Sequence, residues 1–186
     1  MFLRKQVASE AFPVFGFSGN LACELRAEEG RILSRWGDAG WGQKVADDKH
    51  QGHFEEVLVE AVCDMIRYRW KPDPAARWVT CVPSLKHTEL VPDFSARVAD
   101  KLGLPFIAAV RKIRQNRPQK LMQNRFHQCK NLDGAFEIEN VRCGEPVLLI
   151  DDIVDSRWTM TIISALLLRE GSGPVFPLAL ASTSKG

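Results

Sequence analysis

The chain has 186 residues, with 25 lysines and arginines against 23 aspartates and glutamates, and 45% of its residues are hydrophobic. That length suits one ordinary domain, or one domain with a small appendage, and the apolar fraction is ample for a packed core. A net charge of +2 excludes partner choice by overall charge. No apolar run approaches the roughly 20 residues of a membrane-spanning helix, so no membrane partner is expected.

Local charge and the thiols say more. Seven basic residues and no acid lie between Arg111 and Lys130, whereas residues 24–64 carry most of the acidic excess. The five cysteines, Cys23, Cys63, Cys81, Cys129 and Cys143, form no C-x-x-C pair. Their odd number, with no secretory signal ahead of them, leads to the expectation of a reduced, cytoplasmic protein. Cys63 and Cys81 sit in apolar patterns and read as core thiols, and Cys129 with His127 is too sparse for a zinc site.

In chain order, residues 1–20 are poorly patterned, and FPVFGF reads either as an extended aromatic anchor or as an irregular leader. Residues 21–30 read as a short helix. The following ILSRWGDAGWGQKV, with three glycines and two tryptophans, reads as a tight irregular loop with bulky anchors, and residues 38–52 as polar and exposed. Residues 54–70 form a strong helical pattern stopped by Pro72. WVTCV (78–82) is a short buried strand, and its loop 84–88 carries Ser84, Lys86 and His87. A helix over 89–102 takes Pro92 in its first turn and stops at Gly103.

Residues 104–110 and 134–138 are strand candidates on either side of the basic stretch. A turn at 142–146 then leads into PVLLIDDIVDSRWTMT (146–161). Four apolar residues end there in Asp151 and Asp152, and an apolar helix over 160–169 follows, with a last strand over 175–181. The order β-α-β-β-β-α-β argues for an α/β fold with a mostly parallel sheet flanked by helices. Residues 1–50 are expected as an N-terminal, hood-like appendage and residues 51–186 as the α/β domain.

Parallel strands joined by crossovers bring their carboxyl ends to one edge. That edge is expected to gather loop 84–88, the basic stretch and the turn after Asp152. Two carboxylates, a hydroxyl-rich helix start and two cationic loops suit a ligand with hydroxyls at one end and phosphates at the other. Alone, an acid pair ending a strand serves equally as a helix cap.

VLLIDDIVDSRWT resembles the phosphoribosyl-pyrophosphate signature of type I phosphoribosyltransferases, in which four apolar residues lead into two acids, two apolar residues and a phosphate loop ending in Thr. CVPSLKHTELVPDF and RPQKLMQNRFHQCKNLDGAF resemble the ComF group of competence proteins. Together with ELRAEEGRILSRWGDAGWG they are closer still to the phosphoribosyltransferase-like C-terminal region of some bacterial RecQ-type DNA helicases. These matches span residues 24–181. The resemblance implies a type I phosphoribosyltransferase-like fold.

By the same resemblance, Asp151 and Asp152 would be the catalytic pair, holding the ribose hydroxyls and Mg²⁺. Asp155, Ser156, Arg157, Trp158 and Thr159 would wrap the 5′-phosphate, and Ser84, Leu85 and Lys86 would form the pyrophosphate loop. Arg114, Arg117, Lys120 and Arg125 would lie on a mobile loop that closes over the pyrophosphate. The implied reaction is displacement of pyrophosphate by a nitrogen nucleophile.

The signature has glycine where this chain has Arg157. The arginine either adds a guanidinium fork to the phosphate or marks a changed pocket. No acceptor pocket is legible. Trp36 and Trp41 are hood candidates whose plainer reading is packing. The competing expectation is a non-catalytic phosphoribosyl module serving DNA repair, DNA uptake or a RecQ-type helicase, its basic stretch contacting nucleic acid. The chain has no G-x-x-x-x-G-K-[ST] motif and so no helicase motor of its own. Its oligomeric state stays open.

Overall fold

The computed structural model describes residues 1–7, 11–84, 86–114 and 130–183. Its centre is a four-stranded parallel sheet of β1 (Arg31–Arg35), β2 (Trp78–Cys81), β5 (Val147–Val154) and β6 (Val175–Ser182), in the order β1-β6-β5-β2. β5 and β6 are central and apolar, as strands covered on both faces must be, and every residue of β6 is buried. A two-stranded antiparallel ribbon, β3 (Val110–Lys112) with β4 (Phe136–Ile138), stands apart from the sheet.

Side chains alternate along a strand, and the two core halves follow that alternation. Leu148 and Ile150 of β5 face α1 (Trp41–Gln51), α2 (Glu56–Asp64) and α3 (Leu90–Leu102), packing with Val45, Leu58, Val62, Phe94 and Val98. Val147 and Leu149 face the other way, onto α4 (Trp158–Arg169), the ribbon and the N-terminal aromatics. Phe12, Phe15 and Phe17 are all buried there, and Asp133 accepts hydrogen bonds from the Val14 and Phe15 N–H groups at 3.0 and 3.1 Å. FPVFGF is therefore an anchor built into the core.

The expectations of an α/β class and a mostly parallel sheet flanked by helices hold, and several local readings need correction. The expected helix over 21–30 is reduced to a single 3₁₀ turn, Cys23–Leu25. The expected loop over 32–45 begins with β1, which pairs with β6, and continues into α1, so part of residues 1–50 belongs to the central sheet and its helical layer. Gly42 lets α1 start against the end of β1: a Cβ there would lie 1.9 Å from the Arg35 carbonyl oxygen. Residues 38–52, expected as polar and exposed, include Asp48, which is fully buried and takes the Lys44 ammonium at 2.7 Å and the Glu55 N–H at 2.8 Å.

The helix over 54–70 changes character at Met65 and finishes as a π-helix to Trp70. Residues 104–110 do not form one strand. Phe106 makes only an isolated parallel bridge to Val79 before the chain leaves for the ribbon. Among the described residues no helix is long and apolar enough to cross a membrane.

Candidate functional site

The central strand continues through its acids. β5 runs to Val154, so Asp151 and Asp152 are successive strand residues and project to opposite faces. Asp152 follows Leu148 and Ile150 onto the α1 side, where Lys49 of α1 pairs with its carboxylate. Asp151 faces the α4 side and, with Ile153, Val154, Asp155, Ser156, Arg157, Thr159 and Met160, lines a cleft of about 90 Å³. The two acids therefore differ in their surroundings. Asp151 belongs to the cleft, and Asp152 belongs to an ion pair with α1. Among the described residues no group of three or more His, Cys, Asp or Glu side chains gathers as a metal site.

Burial, then the adjacent Asp152 charge, pushes the Asp151 carboxyl well above the usual carboxylate range, while the Asp152 N–H and Lys49 oppose the shift. The Asp151 Oδ1 accepts the Asp152 N–H at 2.9 Å. Lys112 of β3 is half-buried, and that burial lowers its pKa while the Asp151 charge raises it. Two lysines, Lys49 and Lys112, thus act on the acid pair.

The turn that follows is pinned from three directions. On the sheet side, Thr183 Oγ1 donates to Asp155 Oδ1 at 2.9 Å. From α4, Thr161 Oγ1 donates to the Arg157 carbonyl at 2.8 Å. From the N-terminal segment, Arg4 Nε donates to the Ser156 carbonyl at 2.9 Å, and its guanidinium lies 4.4 Å from the centroid of the buried Trp158 ring. Arg157 sits just before α4 with φ 67° and ψ 0°. It keeps the left-handed conformation that a glycine would take there, and its Nη1 donates to the Phe2 carbonyl at 3.3 Å. The Trp158 side chain is an anchor: it is buried and its indole N–H has no hydrogen-bond partner, which leaves the role expected of its backbone in the phosphate wrap untouched.

The remaining expected residues divide. β2 pairs directly with β5, and the Val82 N–H donates to the Ile150 carbonyl at 2.9 Å. Ser84 therefore starts its loop on the same sheet edge as Asp151. The Ser84 Oγ accepts the N–H groups of Lys86 and His87 at 3.2 and 3.3 Å, and Lys86 is exposed. Leu85 lies outside the described residues, as do Arg117, Lys120 and Arg125. Arg114, at the end of the ribbon, donates to the Asp133 carbonyl. Trp36 packs on the core and Trp41 is partly exposed.

Sequence reasoning missed Lys49, Lys112 and Arg4. For Lys49 a signal existed, because a second acid in a strand must face the opposite layer and needs a partner there. No protein-family model matches the chain, and no curated protein matches it.

Proposed function

We propose that the chain binds phosphoribosyl pyrophosphate at the 151–159 turn and transfers its phosphoribosyl group to a nitrogen acceptor, as a type I phosphoribosyltransferase-like protein. One observation carries the reading. Asp151, at the carboxyl end of a central parallel strand, lines the same cleft as the turn that opens α4. Ligands bind at this place in open α/β sheets.

Asp151 would accept a ribose hydroxyl. Ser156, Thr159 and the backbone N–H groups at the start of α4 would take the 5′-phosphate. At about 90 Å³ the cleft has room for little more than a phosphate group, whereas whole-ligand pockets run to roughly 300–1,000 Å³. The sugar and pyrophosphate would therefore extend along the edge toward Ser84, Lys86 and Lys112.

In the reaction the bond from the anomeric carbon to the pyrophosphate oxygen breaks, the leaving group keeps the electron pair, and the acceptor nitrogen forms the new bond. The transition state is oxocarbenium-like. The protein's contribution would be positioning and charge neutralisation, with Lys86 and Lys112 beside the departing anion. Asp152 pairs with Lys49, so Asp151 is the carboxylate that would face a Mg²⁺ ion arriving at the cleft. Mg²⁺ is proposed as part of the substrate, carried on the pyrophosphate.

Calorimetric titration with Mg²⁺ and phosphoribosyl pyrophosphate tests the pocket. Asp151→Asn is expected to weaken binding at least about ten-fold, the loss of a charge-assisted hydrogen bond, and Asp152→Asn to weaken it less. A wild-type protein that does not bind, or binding indifferent to Asp151→Asn, sinks the reading. Pyrophosphate release across a panel of nucleobases and amines then tests transfer.

A further inference from the structure

The N-terminal segment contacts the turn through Arg4 and Phe2. We propose that residues 1–7 form a strap that sets the phosphate turn, with Arg4 as its positioning residue. The proposal rests on the phosphoribosyl reading of the cleft and adds to it a residue 152 positions away in sequence.

The Ser156–Arg157 bond is trans, since the one cis bond among the described residues is Asp73–Pro74. In a trans peptide the C=O and N–H point in opposite directions. Arg4 Nε holds the Ser156 carbonyl at 2.9 Å, so the Arg157 N–H is directed away from the strap. Residues of the strap do not line the cleft, whereas Ser156 and Arg157 do. Were this peptide to flip, a carbonyl oxygen would replace an N–H beside the bound anion, exchanging a favourable dipole for a repulsive one.

The strap is held by further contacts. The Arg4 backbone N–H donates to Thr161 Oγ1 at 3.2 Å, and that hydroxyl donates onward to the Arg157 carbonyl at 2.8 Å. The Arg4 guanidinium lies over the Trp158 ring at 4.4 Å, a stacked contact that suits a planar cation better than an ammonium. The Phe2 carbonyl receives Arg157 Nη1 at 3.3 Å. The same strap thus holds the peptide on one side of Arg157 and the side chain of Arg157 itself. This accounts for an arginine standing in a left-handed conformation where glycine was expected.

The experiment measures ribose 5-phosphate and inorganic phosphate affinities for wild type, Arg4→Ala, Arg4→Lys and the control Arg26→Ala. Arg26 donates instead to the Leu21 carbonyl at 2.8 Å. Arg4→Ala is expected to lose at least ten-fold in affinity for both anions, to regain most of it in millimolar guanidinium chloride, and to shift the Arg157 and Trp158 amide resonances. Arg4→Lys is expected to stay weak, and Arg26→Ala to match wild type. Rescue by free guanidinium keeps the test valid if Arg4→Ala is less stable, because an unfolded variant would not be rescued by a denaturing cation. Wild type that binds while Arg4→Ala binds equally, or is weak and not rescued, overturns the strap alone. Wild type that binds neither anion overturns the phosphoribosyl reading and the role of Arg4 with it.

Discussion

Lys49 and Asp152, 103 residues apart in sequence, are joined as an ion pair between α1 and the end of the central strand β5. The Asp152 side chain is 12% exposed and that of Lys49 25%, so neither is a freely solvated surface charge. Removing the lysine leaves a carboxylate with little access to water. Lys49→Met is expected to cost about 1–3 kcal/mol. The double variant with Asp152→Asn should cost less than the sum of the two single changes by about 1 kcal/mol. Urea unfolding of the four proteins checks this, and simple additivity would show that the pair is not coupled.

Asp151 gives stability an unusual pH dependence. Its folded carboxyl holds its proton to a higher pH than the unfolded chain does. As pH rises above the usual carboxylate range, the unfolded state loses this proton first, so this group's contribution falls as pH rises through its folded pKa. Asp151→Asn is therefore expected to be more stable than wild type at neutral pH, with the two converging at acid pH. Ligand affinity should run the other way: a ribose hydroxyl donates best to the ionised carboxylate, so wild-type affinity should rise with pH more steeply than that of the asparagine variant, whose only change comes from the ligand's phosphates. Thermal melts and titrations from pH 4 to 8 would show both.

Arg157→Gly separates two meanings of an arginine in a left-handed turn. Glycine relieves about 1–2 kcal/mol of backbone cost but forfeits the bond to the Phe2 carbonyl and loses more entropy on folding. The net change in stability is expected within about 1 kcal/mol, with phosphate affinity within three-fold of wild type. A loss of phosphate binding ten-fold or greater would identify the guanidinium as a direct ligand contact.

The thiols make a simpler forecast. Burial pushes Cys63 up to about 11 and Cys81 up to about 12, whereas Cys23 and Cys143 are exposed. Reactivity follows the accessible thiolate. Iodoacetamide at neutral pH should label Cys23 and Cys143 in the native protein, and Cys63 and Cys81 only after unfolding, as read by peptide mass spectrometry.

How much was legible in advance follows from burial. β5, β6 and α4 carry apolar runs because they are covered by neighbouring layers, and α3 carries an apolar stripe at helical spacing; these patterns, with the short buried β2, showed in the sequence. β1 reads RILSR: an edge strand with arginines at both ends, partly buried over four residues and exposed at the fifth, offers no apolar run to detect. α1 buries only Gly42, Val45, Ala46 and Asp48, too few to stand out from its polar surroundings. The π-helical end of the second helical run leaves its apolar spacing close to that of an α-helix.

At the site, the acid pair and the hydroxyls of the turn were legible because they are contiguous. The strand's alternation, which separates Asp151 from Asp152, was available from spacing alone once β5 was extended through both residues. The partners Lys49, Lys112 and Arg4 come from distant parts of the chain, and no local pattern joins them to the turn.

The strand order has a kinetic consequence. Among the described residues β1, the first strand, pairs with β6, the last, through the register Arg31↔Leu178 to Arg35↔Ser182, and has no other strand neighbour in the sheet. During synthesis the early residues therefore have no sheet to join until more than 140 further residues have been made. Closing so long a loop before any pairing rewards it slows folding. The nascent chain reaches the ribosome's exit with its arginine-flanked edge strand exposed, and those two like charges discourage its pairing with a neighbouring copy while it waits.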